Sequence, residues 1–262
     1  MIRPALNNIV RLLLAPACAA CGDELARPIE SPVCGACWRQ VARVGAPWCA
    51  RCGDELERWA EAERECARCR QHPPKFHLAR SAGRYDGTLR DVIHAFKYDK
   101  RRVLAEPLGR MMRESGADLL QDADAAVPVP LHPIRAVRRG FNQADDLARQ
   151  LGLPVWRVLR RRRHGPPQAG LPASSRLRNL DAAFGVSVGW ALAARARHRA
   201  LEARTVVLVD DVMTTGATVD ACSAVLLANG VRSVRVLTAA RAVTARPIPP
   251  RPPQFPSARP RR

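Results

Sequence analysis

The chain has few lysines, few aromatic residues and no long apolar segment. No run of apolar residues approaches the ~20 that a membrane-spanning helix needs, so we expect no transmembrane span. Near the N-terminus, Arg11 and Pro16 interrupt the apolar residues, which argues against the continuous apolar core of a signal peptide. Residues 1–17 are instead predicted to form a short amphipathic helix that leads into the next module.

Negative charge is scarce as well. The chain has 24 acidic and 43 basic residues, a net charge of +19, and a pI of about 11.1. Such a charge favours polyanionic partners, either nucleic acid or phosphorylated small molecules. Nearly all of the basic residues are arginine, and lysine occurs only at Lys75, Lys97 and Lys100. Because a GC-rich genome produces the same bias, a basic surface that is merely solvated is an equally open interpretation.

Eight of the nine cysteines form four C-x-x-C pairs within the first 70 residues. Regular pairs are typical of zinc ribbons, because two thiolates on one tight turn bind the same tetrahedral ion. Disulfide scaffolds space their cysteines irregularly, so we interpret the pairs as zinc ligands in a reducing compartment and expect a cytoplasmic protein. The ninth cysteine, Cys222, is predicted to be a small buried apolar residue. The eight candidate ligands are Cys18, Cys21, Cys34, Cys37, Cys49, Cys52, Cys66 and Cys69.

The two halves of this cysteine module resemble each other, since CAACGDEL at 18–25 is repeated as CARCGDEL at 49–56. The simplest assignment gives one zinc ion to the first four cysteines and a second to the last four. A crossed pairing, or a single metal with spare cysteines, fits the spacing too. Three tryptophans lie in the module, where they either fill its small core or stack on nucleic-acid bases: Trp38, Trp48 and Trp59.

After residue 78 the sequence alternates between strand and helix patterns, which predicts an α/β core with a mainly parallel sheet flanked by helices. The segment AAVPVPL at 125–131 reads as a strand near a sheet edge because of its prolines. Residues 132–143, HPIRAVRRGFNQ, are predicted to form a basic loop. Residues 160–180 are rich in charge, proline and glycine, and are predicted to form a mobile loop within the domain.

One stretch, VVLVDDVMTTGATVDAC at 206–222, points to a binding site. The segment TVVLV is apolar on both faces, as a central parallel strand is, and Asp210 and Asp211 stand at its carboxyl end, where open α/β sheets bind ligands. The loop of small and hydroxyl residues then enters a helix, whose amides and N-terminal dipole suit a phosphate. Carboxylates would repel that phosphate, but they are good acceptors for two vicinal ribose hydroxyls. The stretch therefore predicts a site for a ribose 5-phosphate group.

This stretch resembles, position for position, the phosphoribosyl pyrophosphate (PRPP) motif of type I phosphoribosyltransferases. The resemblance implies that Asp210 and Asp211 hold the ribose hydroxyls and act in catalysis. It also implies that the following loop holds the 5-phosphate, so that the phosphoribosyl-binding residues are Asp210, Asp211, Val212, Met213, Thr214, Thr215, Gly216, Ala217 and Thr218.

Other parts of such a site follow from the same resemblance. Cations for the pyrophosphate are expected after the strand VPVP, at Arg135, Arg138 and Arg139 beside His132. Residues 162–180 lie where type I enzymes carry a flexible hood, from which Arg176 and Arg178 would reach the pyrophosphate. Mg²⁺ would accompany PRPP. Lys97 fits either a ligand contact or a surface position. The nitrogen acceptor, and whether turnover is retained, stay open, and no glutamine amidohydrolase activity is expected because no domain for it is recognised.

The rest of the chain resembles the ComF family, which includes ComFC competence proteins and GntX-like proteins. The resemblance rests on the cysteine pairs together with YDGTLRDVIHAFKYDKR, VPVPLHPIRAVRRGFNQADDLA and PQAGLPASSRLRNLDAAF. It implies uptake or processing of single-stranded DNA, with a DNA helicase of the competence machinery as a possible partner. The expected organisation is a helix at 1–17, a double zinc ribbon at 18–72, a phosphoribosyltransferase-like domain at 78–243 and a disordered Pro/Arg-rich tail at 244–262.

Overall fold

A parallel four-stranded sheet forms the centre of the protein. The computed structural model describes residues 2–56, 64–162, 183–190 and 201–242. The strand order is β1 (Leu78–Arg84), β6 (Ser233–Arg241), β5 (Thr205–Met213) and β2 (Ala125–Pro128), and every neighbouring pair runs parallel. This confirms the predicted α/β class, and it places the proline-containing strand β2 at an edge, where its missing amide costs least.

Helices and a small antiparallel pair surround this sheet. The short strands β3 (Leu159–Arg161) and β4 (Phe184–Val186) pair antiparallel. A 3₁₀ turn, Arg102–Leu104, precedes α5. None of the helices in the described ranges is both long and apolar enough to cross a bilayer. The helices are α1 (Ile2–Leu14), α2 (Gly35–Arg39), α3 (Ala67–Gln71), α4 (Gly87–Tyr98), α5 (Ala105–Ser115), α6 (Ala117–Leu120), α7 (Pro133–Arg139), α8 (Gln143–Ala148) and α9 (Ala217–Ala228).

Apolar side chains of the central strand enter two separate cores. Val207 and Val209 of β5 are fully buried in one core with residues of α4, α5 and α8. Val206 and Leu208 are fully buried in the other, with residues of α9, β3 and β4. Because side chains alternate across a strand, an apolar run such as TVVLV is required for a strand that is covered on both faces.

The cysteine module covers the free edge of β1. The amide of Ala79 donates to the carbonyl of Arg51 at 2.6 Å, and the amide of Arg84 donates to the carbonyl of Ala42 at 2.8 Å. Gly53 comes so close that a Cβ there would lie 2.5 Å from the carbonyl oxygen of Ala79. An uncovered edge strand invites pairing with other chains, so the module protects the sheet as well as binding to it.

One predicted loop is wrong in part, because residues 133–139 of HPIRAVRRGFNQ form the helix α7. Nδ1 of His132 accepts from the amide of Ile134 at 3.3 Å, which caps the first turn, and Pro133 at the start suits a helix. Gly140 ends the helix with a left-handed φ of 75°. The many arginines suggested a loop, but His132 and Pro133 at the start and Gly140 at the end are typical of a short capped helix.

Candidate functional site

The end of β5 places two carboxylates on opposite sides of the central strand. Asp210 follows Leu208 on the face that packs against α9 and β3, whereas Asp211 follows Val209 on the face that packs against α4. The amide of Asp211 donates to Oδ1 of Asp210 at 2.8 Å. Removal of the Asp210 carboxyl from water, together with the nearby charge of Asp211, raises the pKa of Asp210 to about 7.

Lys97, at the end of α4, forms an ion pair with one of these acids. Its Nζ lies 2.7 Å from Oδ1 of Asp211, and the two side chains are only 13 % and 12 % exposed. The same ammonium lies 5.9 Å from the centre of the Tyr85 ring, within the range of a cation–π contact. Of the two interpretations left open by the sequence, the structure therefore favours a position in the site over a solvated surface position.

The loop after the two acids presents free backbone donors. Among the described residues, the amides of Thr214, Thr215, Gly216 and Thr218 donate to no carbonyl or side chain. The amide of Ala217 lies 3.4 Å from Oγ1 of Thr215. The side chains of Thr214 and Thr215 are exposed, and α9 begins directly after Gly216. Free amides that precede a helix N-terminus form a concave anion site.

Glycine is required at the turn of this loop. Gly216 has a left-handed φ of 84°, and a Cβ there would lie 2.9 Å from Cε of Met213. Met213 is buried, at 2 % exposure, so its side chain supports the loop from below, while Val212 is partly exposed. The left-handed conformation of Gly216 and the side chain of Met213 packed against it therefore determine the shape of the loop.

Several cations surround the acids. Arg139 of α7 donates from Nη1 to Oε1 of Gln143 at 2.9 Å, and its charge lowers the pKa of Asp210. Burial lowers the pKa of Arg161 on β3, as does the charge of Arg135, whereas the charge of Asp210 raises it. Arg135 and Arg138 are exposed side chains of α7. The arrangement can bind a ligand with a hydroxyl-bearing centre and several anionic groups.

Sequence reasoning did not identify Arg161, and it left Lys97 undecided. A signal for Lys97 was present, because a chain that otherwise uses arginine keeps lysine at only three positions. A compact ammonium fits a narrow space between a carboxylate and a ring better than a guanidinium does. Arg161 carried no such signal, since it lies in the run RRRR at 160–163. The expected hood, with Arg176 and Arg178, lies outside the described residues, as do Trp59 and the tail.

The eight paired cysteines form two separate clusters. The sulfur atoms of Cys18, Cys21, Cys34 and Cys37 all lie within 4.8 Å of one another, and so do those of Cys49, Cys52, Cys66 and Cys69. The Sγ atoms of Cys21 and Cys34 are 3.9 Å apart, and those of Cys52 and Cys66 are 3.7 Å apart. Four ligands at the ~2.3 Å of a Zn–S bond in a tetrahedron give nearly this separation. The thiolate donors and their spacing fit zinc in the simplest of the pairings considered.

The two clusters share several hydrogen bonds at equivalent positions. The amide of Cys18 donates to the carbonyl of Asp23 at 2.7 Å, and that of Cys49 to the carbonyl of Asp54 at 2.7 Å. The amides of Cys34 and Cys66 donate to the first sulfur of their own cluster, each at 3.3 Å. Amide donation to sulfur stabilises the thiolate that a metal requires. The repeat in the sequence is thus a repeat of a complete metal-binding fold.

Two tryptophans of the cysteine module and the unpaired cysteine of α9 have structural contacts. Nε1 of Trp38 donates to Oγ of Ser31 at 3.2 Å, and the ring is partly buried. Trp48 is 38 % exposed, with the guanidinium of Arg80 at 5.5 Å from its ring centre. Cys222 is completely buried, as expected of a small apolar residue. Of the tryptophans in the described part of the module, Trp48 has the ring surface that a base could reach.

Comparison with known protein families matches both parts of the chain. Residues 9–70 match the double zinc ribbon domain, and residues 137–256 match the phosphoribosyl transferase domain. Among solved structures, the allosteric regulatory enzyme of purine biosynthesis is similar with a TM-score of 0.37 and 20% identity, covering 56% of this chain and 30% of that one.

Curated proteins resemble the chain more closely. Competence protein F of Haemophilus influenzae is 33% identical over 187 residues, which cover 68% of this chain and 78% of that protein. DNA utilization protein YhgH of Escherichia coli K12 is 35% identical over 184 residues, which cover 65% of this chain and 75% of that protein. With the domain matches at 9–70 and 137–256, these identities show that the chain belongs to the ComF family, in which a double zinc ribbon is joined to a phosphoribosyltransferase domain.

Proposed function

We propose that the chain binds PRPP, or a related ribose 5-phosphate ligand, at the carboxyl end of β5. The observation that carries this proposal is the succession of Asp210, Asp211 and a loop that enters α9, in which the amides of Thr214, Thr215 and Gly216 bond to no group of the described residues. Two adjacent carboxylates would repel a phosphate ion, and an unphosphorylated sugar has no anion to bind at the helix N-terminus. A phosphorylated ribose has hydroxyls that can donate to the carboxylates and a phosphate that can accept from the loop amides.

The acids are assigned to the ribose hydroxyls, and the loop to the 5-phosphate. Hydroxyls donate well to carboxylates, and the partial burial of both acids strengthens such bonds. The loop supplies the exposed hydroxyls of Thr214 and Thr215 and the amides around Gly216. Thr218, in the first turn of α9, adds a hydroxyl beside the positive end of the helix dipole.

The cations are assigned to the pyrophosphate at C1 of the ribose. Arg139 and Arg161 lie near Asp210, and Lys97 contacts Asp211, so positive charge flanks the place where the anomeric carbon would lie. Arg135 and Arg138 extend this charge along α7, and Arg176 stays a proposed contributor. Carboxylate oxygens are suitable neighbours for Mg²⁺, but Lys97 already neutralises Asp211. Mg²⁺ would therefore enter on the pyrophosphate, where it supplies neutralising charge.

The same cluster of cations supports a second candidate, an active Mg²⁺-dependent phosphoribosyltransferase in nucleotide metabolism or salvage. Loss of pyrophosphate leaves positive charge on the ribose, which Asp210 and Asp211 would stabilise, while the arginines and Lys97 hold the departing anion. An amine or base nitrogen would then attack C1. The described residues do not indicate which nitrogen compound would accept the phosphoribosyl group.

We further propose that the protein handles single-stranded DNA during uptake, together with a helicase of the competence machinery. The net charge of +19 suits a phosphate backbone, and the relatives carry the names Competence protein F and DNA utilization protein. Trp48 offers a ring for stacking beside Arg80. Salt-dependent binding of a fluorescent oligonucleotide tests this, because counterion release makes affinity fall steeply with salt; affinity unchanged from 50 to 300 mM salt would contradict it.

Calorimetry with a panel of ligands tests the ribose 5-phosphate assignment. Wild-type protein should bind PRPP and ribose 5-phosphate, but not ribose, in buffer with Mg²⁺. Thr218→Val removes one hydroxyl next to the phosphate and should weaken both phosphorylated ligands by about 10–100-fold, the effect of one hydrogen bond to a charged group. Val225→Thr, on the same helix and outside the site, should change neither affinity. Wild-type protein that binds neither ligand at millimolar concentration would refute the proposal.

Turnover is measured separately from binding. Pyrophosphate release from PRPP, followed with a set of amines and nucleobases, distinguishes an enzyme from a protein that only binds its ligand. Release that depends on an added nitrogen compound and is lost in Asp210→Asn would establish the transferase. Tight binding without release would leave ligand sensing as the function of the site.

A further inference from the structure

The helix α1 is inverted with respect to the usual amphipathic arrangement. Among residues 6–14, for which the structure describes the side chains, the buried residue is polar: Asn7 is 5 % exposed, and its Oδ1 accepts from the amide of Ile29 at 3.1 Å. Nε of Arg11 donates to Oε1 of Glu24 at 2.9 Å. The side of the helix that carries Asn7 and Arg11 thus packs on the first zinc ribbon, with Val10 partly buried, while the leucines and Ile9 among residues 6–14 lie on the outside.

Those apolar residues form one exposed surface. Leu6, Ile9 and Leu13 recur at i, i+3 and i+7, and they are 45 %, 52 % and 73 % exposed. Leu12 lies next to them on the same side of the helix and is 87 % exposed. We name these four side chains the leucine face. Single exposed apolar residues need no explanation, but a contiguous set of them on one helix marks an interaction surface.

A basic segment lies near the C-terminal end of α1. Nη1 of Arg101 donates to the carbonyl of Ala17, three residues after the end of the helix, at 2.8 Å. Lys100 is exposed and forms no ion pair with any residue in the described part of the chain. Val103, in the same segment, is 67 % exposed. An apolar surface beside cations matches the boundary of an anionic bilayer, where acyl chains lie beneath negative headgroups.

We propose that the leucine face docks α1 in the plane of an anionic phospholipid bilayer. Such docking needs no membrane-spanning segment, since a short amphipathic helix lies in the headgroup region with its apolar side among the acyl chains. Binding of a second copy fits less well. Standard protein interfaces involve about 20–30 residues a side, and the leucine face supplies far fewer. Two chains that each carry +19 also repel each other, whereas an anionic surface attracts both.

Docking of this kind would set the orientation of the protein on the surface. Because α1 contacts the first ribbon through Asn7 and Arg11, the ribbon would lie next to the headgroups. The site at Asp210 and Asp211 lies on the sheet and is formed by other residues, so the inference does not depend on the proposed function.

Vesicle flotation tests the proposal. The nuclease-treated full chain is mixed with vesicles of phosphatidylcholine, or of phosphatidylcholine with a third phosphatidylglycerol. We expect the protein to float with the anionic vesicles and to stay largely unbound with the neutral ones. The variant Ile9→Gln/Leu13→Gln should lower the partition coefficient by at least about tenfold, because two apolar side chains no longer enter the acyl region. Asn8→Gln, an exposed polar residue of the same helix, is the matched control and should float like wild type.

Three results would overturn the proposal. One is the absence of flotation with anionic vesicles at 100 mM salt. Another is equal flotation of the double variant and the wild type, which would assign binding to the basic surface alone. The third is a dimer that light scattering detects in the wild type but not in the double variant, without vesicle binding, which would make the leucine face an interface between copies. Zinc content and circular dichroism of each variant verify that it is folded.

Discussion

Nζ of Lys97 and Oδ1 of Asp211 lie 2.7 Å apart, and this ion pair links helix α4 to the end of the central strand. The pair is largely shielded from solvent, since neither side chain is exposed by more than 13 %. It neutralises Asp211 directly, whereas burial and the charge of Asp211 still raise the pKa of Asp210, against the lowering effects of Lys97 and Arg139. Without a ligand, the two carboxyls of the site therefore differ in their ion pairing: Asp211 is paired with Lys97, and Asp210 has a raised pKa.

Lys97→Met should destabilise the protein by about 2–3 kcal/mol, because it leaves the Asp211 carboxylate without its partner in a poorly solvated place. Chemical denaturation measures this free energy of unfolding. Lys100→Met is the control, since it removes the same charge from an exposed residue and should change the stability by less than about 0.5 kcal/mol. Equal effects of the two substitutions would show that the pair with Asp211 contributes nothing.

The raised pKa of Asp210 makes its effect on stability depend on pH. Above pH 7 the folded protein holds an ionised carboxyl that prefers to be neutral, so Asp210→Asn should increase the free energy of unfolding by about 1–3 kcal/mol at pH 8. The gain should shrink as the pH falls from the folded pKa of about 7 towards the ordinary value of 3.8, where both states are protonated.

Urea titrations of wild type and Asp210→Asn at pH 8, 7 and 6 check this behaviour. The difference between the two proteins cancels any common effect of pH on the zinc sites. A difference that stays constant over this range would mean that Asp210 has an ordinary pKa. A difference that grows as the pH falls would contradict the sign of the shift.

Gly216→Ala should affect both stability and ligand binding. A left-handed φ of 84° costs a residue with a Cβ about 1–2 kcal/mol, and the Cβ would also press on Met213. Gly152→Ala has a similar φ of 76° but open space around the Cβ, so it should show the loss of stability alone. Denaturation and ribose 5-phosphate calorimetry on both variants separate the two effects. If Gly216→Ala and Gly152→Ala bind ribose 5-phosphate with equal affinity, the loop at Gly216 does not bind the phosphate.

The second ribbon is tied to the sheet by a buried charge. Arg241 is 2 % exposed; its Nη1 donates to the carbonyl of Cys52 at 2.8 Å and its Nε to Oδ1 of Asp54 at 3.1 Å. Asp54→Asn should cost about 1–3 kcal/mol, because it removes the carboxylate partner of a buried guanidinium and leaves that group with the sulfur of Cys52, 3.7 Å from Nη2, as its nearby anion. In Arg241→Met, the further change Asp54→Asn should cost much less. Additive losses in this double-mutant cycle would mean that the two residues act independently.

Elemental analysis of protein purified without chelator should give two zinc ions per chain, one for each cysteine cluster. Cys49→Ser, at a completely buried position, should release one ion and unfold the second ribbon, because structural zinc supplies much of the folding energy of such small modules. A ratio near one in the wild type would replace this account with a single site. Protein that is folded without zinc would contradict it.

Much of this architecture was readable in the sequence. The apolar run of β5 predicted a parallel strand, which the structure confirms. The acids at its end and the glycine-containing loop predict a phosphate site, which stays a prediction. The C-x-x-C pairs predicted tetrahedral clusters. In each case, residues adjacent in the chain carry the whole signal.

The contacts that the sequence did not reveal join distant segments. Lys97 and Asp211 are separated by 114 positions, and nothing local to either residue shows that α4 ends beside β5. Arg241 was placed within the predicted domain, but nothing local to it shows that its side chain is buried against Asp54. The inverted face of α1 likewise depends on where Ile29 and Glu24 lie. Contacts of this kind depend on tertiary packing, and the periodicity of apolar residues in the sequence does not reveal them.

The measurement that tests the central claim most directly is PRPP binding by calorimetry, with Mg²⁺, on wild type and on the double variant Asp210→Asn/Asp211→Asn. We predict that wild type binds and that the double variant binds at least about tenfold more weakly, because charged acceptors for the ribose hydroxyls become neutral ones. Asp122→Asn is the control: it makes the same chemical change at an exposed left-handed position before β2, at the opposite edge of the sheet, and should bind like wild type. Unaltered affinity in the double variant, with all three proteins folded, would contradict the claim that these two acids hold a phosphoribosyl ligand.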